Sequence, residues 1–249
     1  MPSALQAQTV LPDEVARFAR MAQHWWDPEG PMKPLHKMNP ARVAFLKGEF
    51  ARHFDRDPES PQPFKGLSLL DVGTGAGLIA EPMARLGFAV TGIDAARESV
   101  EAAKAHAAKA GLEIDYQATT TDVLLKDKKR FDAVLTMEIV EHVPDAGLFL
   151  DEAAQLVAPG GALAGATVNR TTKSYLMGIV GAEVILRWLP IGTHDWNKFL
   201  KPSEFTGHLR QAGLHVTTLQ GLGYNLLSDS WSATSDLDVN YLIFAQKAA

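Results

Sequence analysis

The fold is decided by the stretch Leu69-Leu70-Asp71-Val72-Gly73-Thr74-Gly75-Ala76-Gly77. An apolar run ends abruptly at three alternating glycines, which is the pattern of a buried strand that turns tightly into a helix. Glycine has no Cβ and tolerates positive φ, so the backbone N–H groups of such a turn can come close to a ligand. The stretch therefore predicts a strand, a ligand-binding turn and a helix.

Strands and helices alternate on the carboxyl-terminal side of this loop. The expected strands cover residues 68–72, 89–93, 114–117, 131–136, 162–168, 215–222 and 239–246. The expected helices cover residues 78–86, 98–110 and 145–157, and a further helix begins at Pro202. This alternation predicts a Rossmann-like α/β fold, a mostly parallel seven-stranded sheet with helices on both faces. Only loop separates the last two strands, so we expect an antiparallel last strand in a hairpin with its predecessor.

The chain divides into a leading segment and a sheet domain. Residues 1–64 predict an N-terminal helical cap and a linker, with one helix after Asp13, an irregular proline-rich loop over 27–40 and a second helix over 41–54. Residues 65–249 form the expected sheet domain. Residues 169–200 are an apolar insertion, placed where a simple α/β domain needs only a short connection.

Composition excludes several classes of function. The 249 residues are 46% hydrophobic and include no cysteine, which excludes disulfides, thiolate metal sites and cysteine nucleophiles. The first residues lack the basic start and apolar core of a signal peptide, and no apolar run is long enough to span a membrane. We therefore expect a cytoplasmic protein. A net charge of −5 without a block of Lys or Arg argues against a nucleic-acid partner.

The glycine spacing and two carboxylates indicate an adenosyl cofactor. The spacing is Gly-x-Gly-x-Gly, and Leu78 stands where a dinucleotide-binding loop has its third glycine. Asp71 suits a cofactor whose amino-acid end carries an ammonium group, whereas it would repel a pyrophosphate. Asp94 ends the second strand, where a carboxylate can accept both ribose hydroxyls. The pattern favours S-adenosylmethionine (SAM), with NAD(P) binding and a glycine turn that only packs a helix as the alternatives.

Several further motifs resemble one enzyme family. They are Trp25-Trp26-Asp27-Pro28, Lys33-Pro34-Leu35-His36-Lys37-Met38-Asn39-Pro40-Ala41-Arg42, Met137-Glu138-Ile139-Val140-Glu141-His142-Val143-Pro144, Gly192-Thr193-His194-Asp195 and Asp238-Val239-Asn240-Tyr241. Together they closely resemble the ubiquinone-biosynthesis O-methyltransferases, which are class I SAM-dependent methyltransferases. The resemblance implies methylation of polyprenylated phenol, catechol and demethylubiquinol hydroxyls, and other proteins of that pathway as partners.

Carried over position by position, the resemblance implies cofactor contacts at Arg42, Gly73, Asp94 and Met137. Arg42 could hold the methionine carboxylate with its planar fork, and Met137 could pack on the adenosyl part. Asp71, Gly75 and Gly77 complete the expected cofactor-binding set. The chain departs from the family's usual loop at Thr74 and Ala76, where cysteine and glycine are common. Both substitutes are small, so the backbone approach should survive.

Methyl transfer needs an oxygen nucleophile that loses its proton, and the candidate residues for this step are Glu138, Glu141 and His142. Spaced i, i+3 and i+4, they would share one face of a helical turn after the fourth strand. Two interpretations stay open. The three could bind Mg²⁺ that orients both catechol oxygens, as the resemblance to eukaryotic relatives implies, or His142 could act directly as the general base. A non-catalytic adenosyl-binding protein would need none of the three.

The apolar insertion predicts contact with a membrane. Residues 175–190 are apolar except for Glu183 and Arg187, and they are too few to span a bilayer. Trp188 beside Arg187 is typical of a membrane boundary. We expect a flap that lies on the inner membrane and admits the polyprenyl tail, which would make the protein peripheral to that membrane. Burial as an extra core helix or as a dimer contact is the alternative.

Overall fold

The strands form a single mixed sheet. A computed structural model describes residues 9–177 and 195–249. The strands are β1 (Ser68–Val72), β2 (Ala89–Asp94), β3 (Asp115–Ala118), β4 (Phe131–Met137), β5 (Val157–Val168), β6 (Leu214–Asn225), β7 (Ser230–Thr234) and β8 (Asn240–Lys247). Their order across the sheet is β3-β2-β1-β4-β5-β8-β6-β7. Strands β1 to β5 pair in parallel, β8 is antiparallel to both β5 and β6, and β7 is antiparallel to β6.

The predicted sheet is confirmed in its main features and wrong in its strand count. The sheet is largely parallel and its last strand is antiparallel, but it has eight strands rather than seven. The missed strand, β7, reads Ser-Trp-Ser-Ala-Thr and lies at the sheet edge with little burial, so it has no apolar run to reveal it. Because β7 lies between β6 and β8 in the chain, these two strands are neighbours but do not form the expected hairpin.

Helices cover both faces of the sheet. They are α1 (Pro12–Met21), α2 (Lys33–His53), α3 (Ala80–Arg85), α4 (Arg97–Lys109), α5 (Thr121–Lys126), α6 (Ala146–Leu156), the single turn α7 (Thr172–Ser174) and α8 (Pro202–Gln211). Successive side chains of a strand point to opposite faces. Leu69 accordingly packs in one core with α2, α3 and α4, while Leu70 packs in the other with α6 and α8. This arrangement fixes β1 in the middle of the molecule.

The second helix begins earlier than predicted. It starts at Lys33, not at residue 41, so the expected irregular loop ends after Met32. Pro34 lies in the first helical turn, where a missing backbone N–H costs nothing, and Pro40 is accommodated inside the helix. Leu46 and Phe50 of this helix are fully buried in the core that contains Leu69. The leading segment is therefore packed directly onto the sheet.

Residues 178–194 lie outside the described residues. They include most of the expected membrane flap over 175–190 and all of the motif Gly192-Thr193-His194-Asp195 except Asp195. Within the described ranges, no helix has the length and apolar character needed to cross a membrane.

Candidate active site

A cavity of about 610 Å³ lies at the carboxyl ends of the central strands. The ends of β1, β2 and β4 meet there, as expected for ligand sites in parallel sheets. The leading helices supply the opposite wall. Of the expected site residues, the cavity is lined by Arg42, Asp71, Gly73, Asp94, Met137, Glu138, Glu141 and His142. The structure therefore brings eight of the ten to one place.

The other two expected residues, Gly75 and Gly77, lie beside the cavity. All three glycines of the loop have positive φ, at 73°, 54° and 91° in chain order. A Cβ on Gly75 would come within 2.3 Å of the Trp25 ring, and one on Gly77 within 2.2 Å of the Tyr116 hydroxyl. A Cβ on Gly73, which lines the cavity, would come within 2.2 Å of Ile139 Cδ1. All three glycines are therefore needed for the turn and for the packing of its neighbours.

Asp94 is held in place by the loop. Its two carboxylate oxygens accept hydrogen bonds from the backbone N–H of Gly75, at 3.0 Å, and of Ala96, at 2.8 Å. Burial raises the pKa of Asp94, and the two N–H groups act in the opposite direction. The carboxylate is thus fixed at the end of β2 with acceptor capacity toward the cavity.

Asp71 is a buried acid at the end of β1. It accepts a hydrogen bond from the Thr74 hydroxyl at 2.8 Å. Burial and, to a smaller extent, the nearby Asp94 carboxylate raise the pKa of Asp71, whereas the Thr74 hydrogen bond and Arg42 lower it, and together they bring it to about 7. A cationic ligand group beside Asp71 would favour the carboxylate form.

Arg42 enters the cavity from α2. It is only 2% exposed, and it donates to the Asn39 side chain at 2.8 Å. Its guanidinium lies 3.6 Å from a Glu138 oxygen, and desolvation lowers the pKa of this guanidinium while Glu138 raises it. Within the described residues, Arg42 Nε and Glu138 Oε1 are buried without a hydrogen-bond partner. The site therefore has donor and acceptor capacity available for a ligand.

Glu138, Glu141 and His142 do not share one helical face. Glu138 has a φ of 53°, and the turn that follows, Val140–His142, is a 3₁₀ turn. Glu141 is buried and accepts from the Thr167 hydroxyl at 2.9 Å, while His142 Nδ1 lies 3.1 Å from Glu14 of α1. Among the residues that the structure describes, no group of three His, Asp or Glu side chains is arranged to hold a metal ion. The expected shared face is wrong, and the trio does not fit a metal site.

The sequence did not assign Glu14 or Trp25 to the site itself. Glu14 and Trp25 both line the cavity from the leading segment. Glu14 lies one turn before Phe18, on the same face of an amphipathic helix. An acidic residue on the apolar face of this helix was the sequence signal that could have identified Glu14.

Comparison with known proteins identifies the family. The methyltransferase domain family matches residues 70–165. The ubiquinone biosynthesis O-methyltransferase of Paramagnetospirillum magneticum is 52% identical over 96% of each chain, and that of Brucella anthropi is 48% identical over 97% of each chain. The chain belongs to the ubiquinone biosynthesis O-methyltransferases. It is a SAM-dependent O-methyltransferase, so the NAD(P) and non-enzymatic alternatives do not hold.

Solved structures agree with the fold of this ubiquinone biosynthesis O-methyltransferase. Magnesium protoporphyrin IX methyltransferase from Synechocystis PCC 6803, with bound S-adenosylhomocysteine (SAH), is similar with a TM-score of 0.64 and 16% identity over 94% of each chain. The plantazolicin methyltransferase BpumL is similar with a TM-score of 0.65 and 15% identity, covering 95% of this chain and 97% of the other. At these identities the likeness shows the class I methyltransferase fold.

Proposed function

We propose that this chain transfers the methyl group of SAM to a ring hydroxyl of a polyprenylated catechol or demethylubiquinol, with His142 as the general base. One observation carries the proposal: His142 lines the same cavity as the expected cofactor residues Arg42, Asp71 and Asp94. A base within reach of the reacting hydroxyl is the geometric requirement for this role.

The cavity residues fit SAM. Arg42 presents an unpaired buried Nε for the methionine carboxylate, and Asp71 presents an acid for its ammonium group. Asp94 is fixed to accept the ribose hydroxyls, and Met137 is buried at the end of β4 beside the cavity. Gly73 lines the cavity, where a glycine leaves the loop backbone accessible to the cofactor.

When bound, SAM supplies an electrophilic methyl group on a sulfonium centre. His142 accepts the proton of the substrate hydroxyl as the new O–C bond forms. Arg42, Asp71 and Asp94 would hold the methyl donor, which would leave the site as SAH. Glu138 lines the same cavity, 3.6 Å from the Arg42 guanidinium, and burial together with Glu141 raises the pKa of Glu138.

Replacement of the base tests the proposal. In His142→Gln, turnover of a short-chain catechol should fall by at least about 100-fold, because general-base catalysis contributes that much. SAH affinity should stay unchanged, since His142 holds no part of the cofactor. His215→Gln, at an exposed position on β6, is the matched control. Unchanged turnover in His142→Gln would contradict the proposal.

The metal-assisted alternative has a separate test. In this alternative Glu138, Glu141 and His142 bind Mg²⁺, although the described residues include no group of three such side chains arranged to hold a metal ion. If His142 acts directly, EDTA treatment should leave turnover unchanged, and added Mg²⁺ should not raise it. Loss of turnover with EDTA and its recovery with Mg²⁺ would favour the metal.

We also propose that the enzyme works at a membrane surface. Leu226 and Leu227, at the turn between β6 and β7, are 74% and 100% exposed. Leu226 lines the cavity together with Leu176 and Met177, which lie within the insertion and are also exposed. Contiguous exposed apolar side chains of this kind are typical of interaction sites. Their position at the cavity would let a polyprenyl tail pass between the lipid and the site.

Liposome flotation tests this second proposal. The double variant Leu226→Ser/Leu227→Ser should bind vesicles of inner-membrane phospholipids more weakly than the unchanged chain, with SAH affinity preserved. Leu219→Ser removes a partly exposed leucine of β6 outside the cavity wall and is the control. Equal flotation of all three proteins would contradict the role of this turn.

A further inference from the structure

The candidate base is contacted by a carboxylate of the first helix. Glu14 Oε2 lies 3.1 Å from His142 Nδ1, and both side chains are largely buried against the cavity. Phe18, one turn further along α1, packs edge-on against the His142 ring with 5.2 Å between the ring centroids. Helix α1 thus contacts both the ring and one of its nitrogens.

We propose that Glu14 is the positioning residue of His142, fixing the ring orientation and holding its proton on Nδ1. This inference rests on the proposed role of His142. An imidazole that donates from Nδ1 to a carboxylate has its basic lone pair on Nε2. A carboxylate in this relation to a catalytic histidine sets the tautomer and stabilises the imidazolium that forms during proton transfer.

A second side chain, that of Arg17, also contacts Nδ1 of His142. Arg17 Nη2 lies 3.3 Å from His142 Nδ1, but it is 2.5 Å from Glu14 Oε2. A guanidinium only donates, so a bond from Arg17 to Nδ1 would require the opposite tautomer. Glu14 is nearer to Nδ1, and the shorter Arg17 contact is to Glu14. We therefore assign Arg17 to the carboxylate, which it keeps in place beside the ring.

The charge state of Glu14 agrees with this assignment. The hydrogen bond with His142 lowers the pKa of Glu14, burial opposes the change, and the charge of Arg17 lowers it further. Glu14 is therefore an ionised acceptor, as the arrangement requires.

The pairing joins the leading segment to the chemistry. The same segment places Trp25 against the glycine loop, so docking of α1 aligns the base at the cavity that the cofactor loop also lines. Without α1, the turn Val140–His142 would present His142 without its carboxylate partner.

The kinetics of variants at two neighbouring acidic residues, Glu14 and Asp13, test the proposal on the full chain. In Glu14→Gln, kcat should fall by at least about 10-fold, because the ring orientation and tautomer are no longer fixed. KM for SAM and SAH affinity should stay within about 2-fold. Asp13→Asn, an exposed neighbour on the same helix, should leave all three unchanged. A general loosening of α1 would instead weaken SAH binding, and that result would overturn the positioning role.

Imidazole nitrogen NMR supplies a readout that does not depend on turnover. The neutral His142 ring, assigned by the signals missing in His142→Gln, should carry its proton on Nδ1 and should lose this preference in Glu14→Gln. If Arg17→Gln changes the tautomer while Glu14→Gln does not, the assignment is wrong. Full activity in Glu14→Gln with an inactive His142→Gln would overturn this inference alone. An active His142→Gln would overturn the proposed base.

Discussion

Trp25 lies so close to Gly75 that a Cβ on this glycine would fall 2.3 Å from the indole ring. The next residue, Trp26, donates its indole N–H to the Ala76 carbonyl at 2.9 Å and stacks on His106. Both tryptophans of the leading segment are therefore attached to the glycine loop. The glycine loop therefore lines the cofactor cavity on one side and contacts the leading segment on the other.

Gly75→Ala should weaken cofactor binding. The new methyl group would displace the Trp25 ring, and a φ of 54° is strained for alanine. We expect a loss of about 1–3 kcal/mol in stability and at least a 10-fold weaker SAH affinity, which is about 1.4 kcal/mol. Calorimetric titration and thermal unfolding measure the two effects. Gly48→Ala, in α2 with open space around it, should leave the SAH affinity unchanged.

Asp94→Asn should weaken SAH binding about 10- to 100-fold. The carboxylate accepts from the backbone N–H groups of Gly75 and Ala96, and an amide offers a donor where one of them needs an acceptor. Each lost hydrogen bond to a charged group costs about 1.5–3 kcal/mol. Asp127→Asn, at an exposed position after α5, is the control for charge. Equal SAH affinity of both variants would exclude Asp94 from the cofactor site.

SAH binding at about pH 6 should release a proton from Asp71. Its pKa is raised to about 7, so below that pH the empty site holds a protonated acid. The ligand's ammonium group favours the carboxylate, and the proton therefore leaves on binding. Titration calorimetry in buffers of different ionisation enthalpy measures this release. The number of protons released on SAH binding should fall in Asp71→Asn. An unchanged number in that variant would assign the proton to another group.

Arg42→Met should destabilise the protein by about 3–5 kcal/mol, since it leaves the buried carboxyl groups around it without their cation. Removal of the Glu138 carboxylate should offset part of this loss of stability, because a Glu138 oxygen lies 3.6 Å from the Arg42 guanidinium. We expect the double variant Arg42→Met/Glu138→Gln to be more stable than Arg42→Met alone. Chemical unfolding of the unchanged protein, Arg42→Met, Glu138→Gln and the double variant gives the coupling energy. Additive effects on the free energy of unfolding would show that the pair is not coupled.

Local sequence patterns sufficed for the main sheet and most of the cofactor cavity. The apolar runs, the glycine spacing and the two aspartates after β1 and β2 are local signals, and parallel strands necessarily bring their carboxyl ends to one edge. The strand β7 has no such signal, because an exposed edge strand needs no apolar run. The helix at residues 33–40 was missed because its prolines are read as breakers, whereas Pro34 lies in the first turn and Pro40 is accommodated inside the helix.

The sequence by itself determined the fold class, the cofactor loop and the family, because these depend on periodicity, on glycine conformation and on motifs contiguous in the chain. Only the tertiary structure decided how the reacting residues are arranged. The positive φ of Glu138 and the 3₁₀ turn after it direct Glu141 toward β5 and His142 toward α1. The partner of His142 is Glu14, distant in sequence, and such a pairing arises only when the leading helix packs over the sheet.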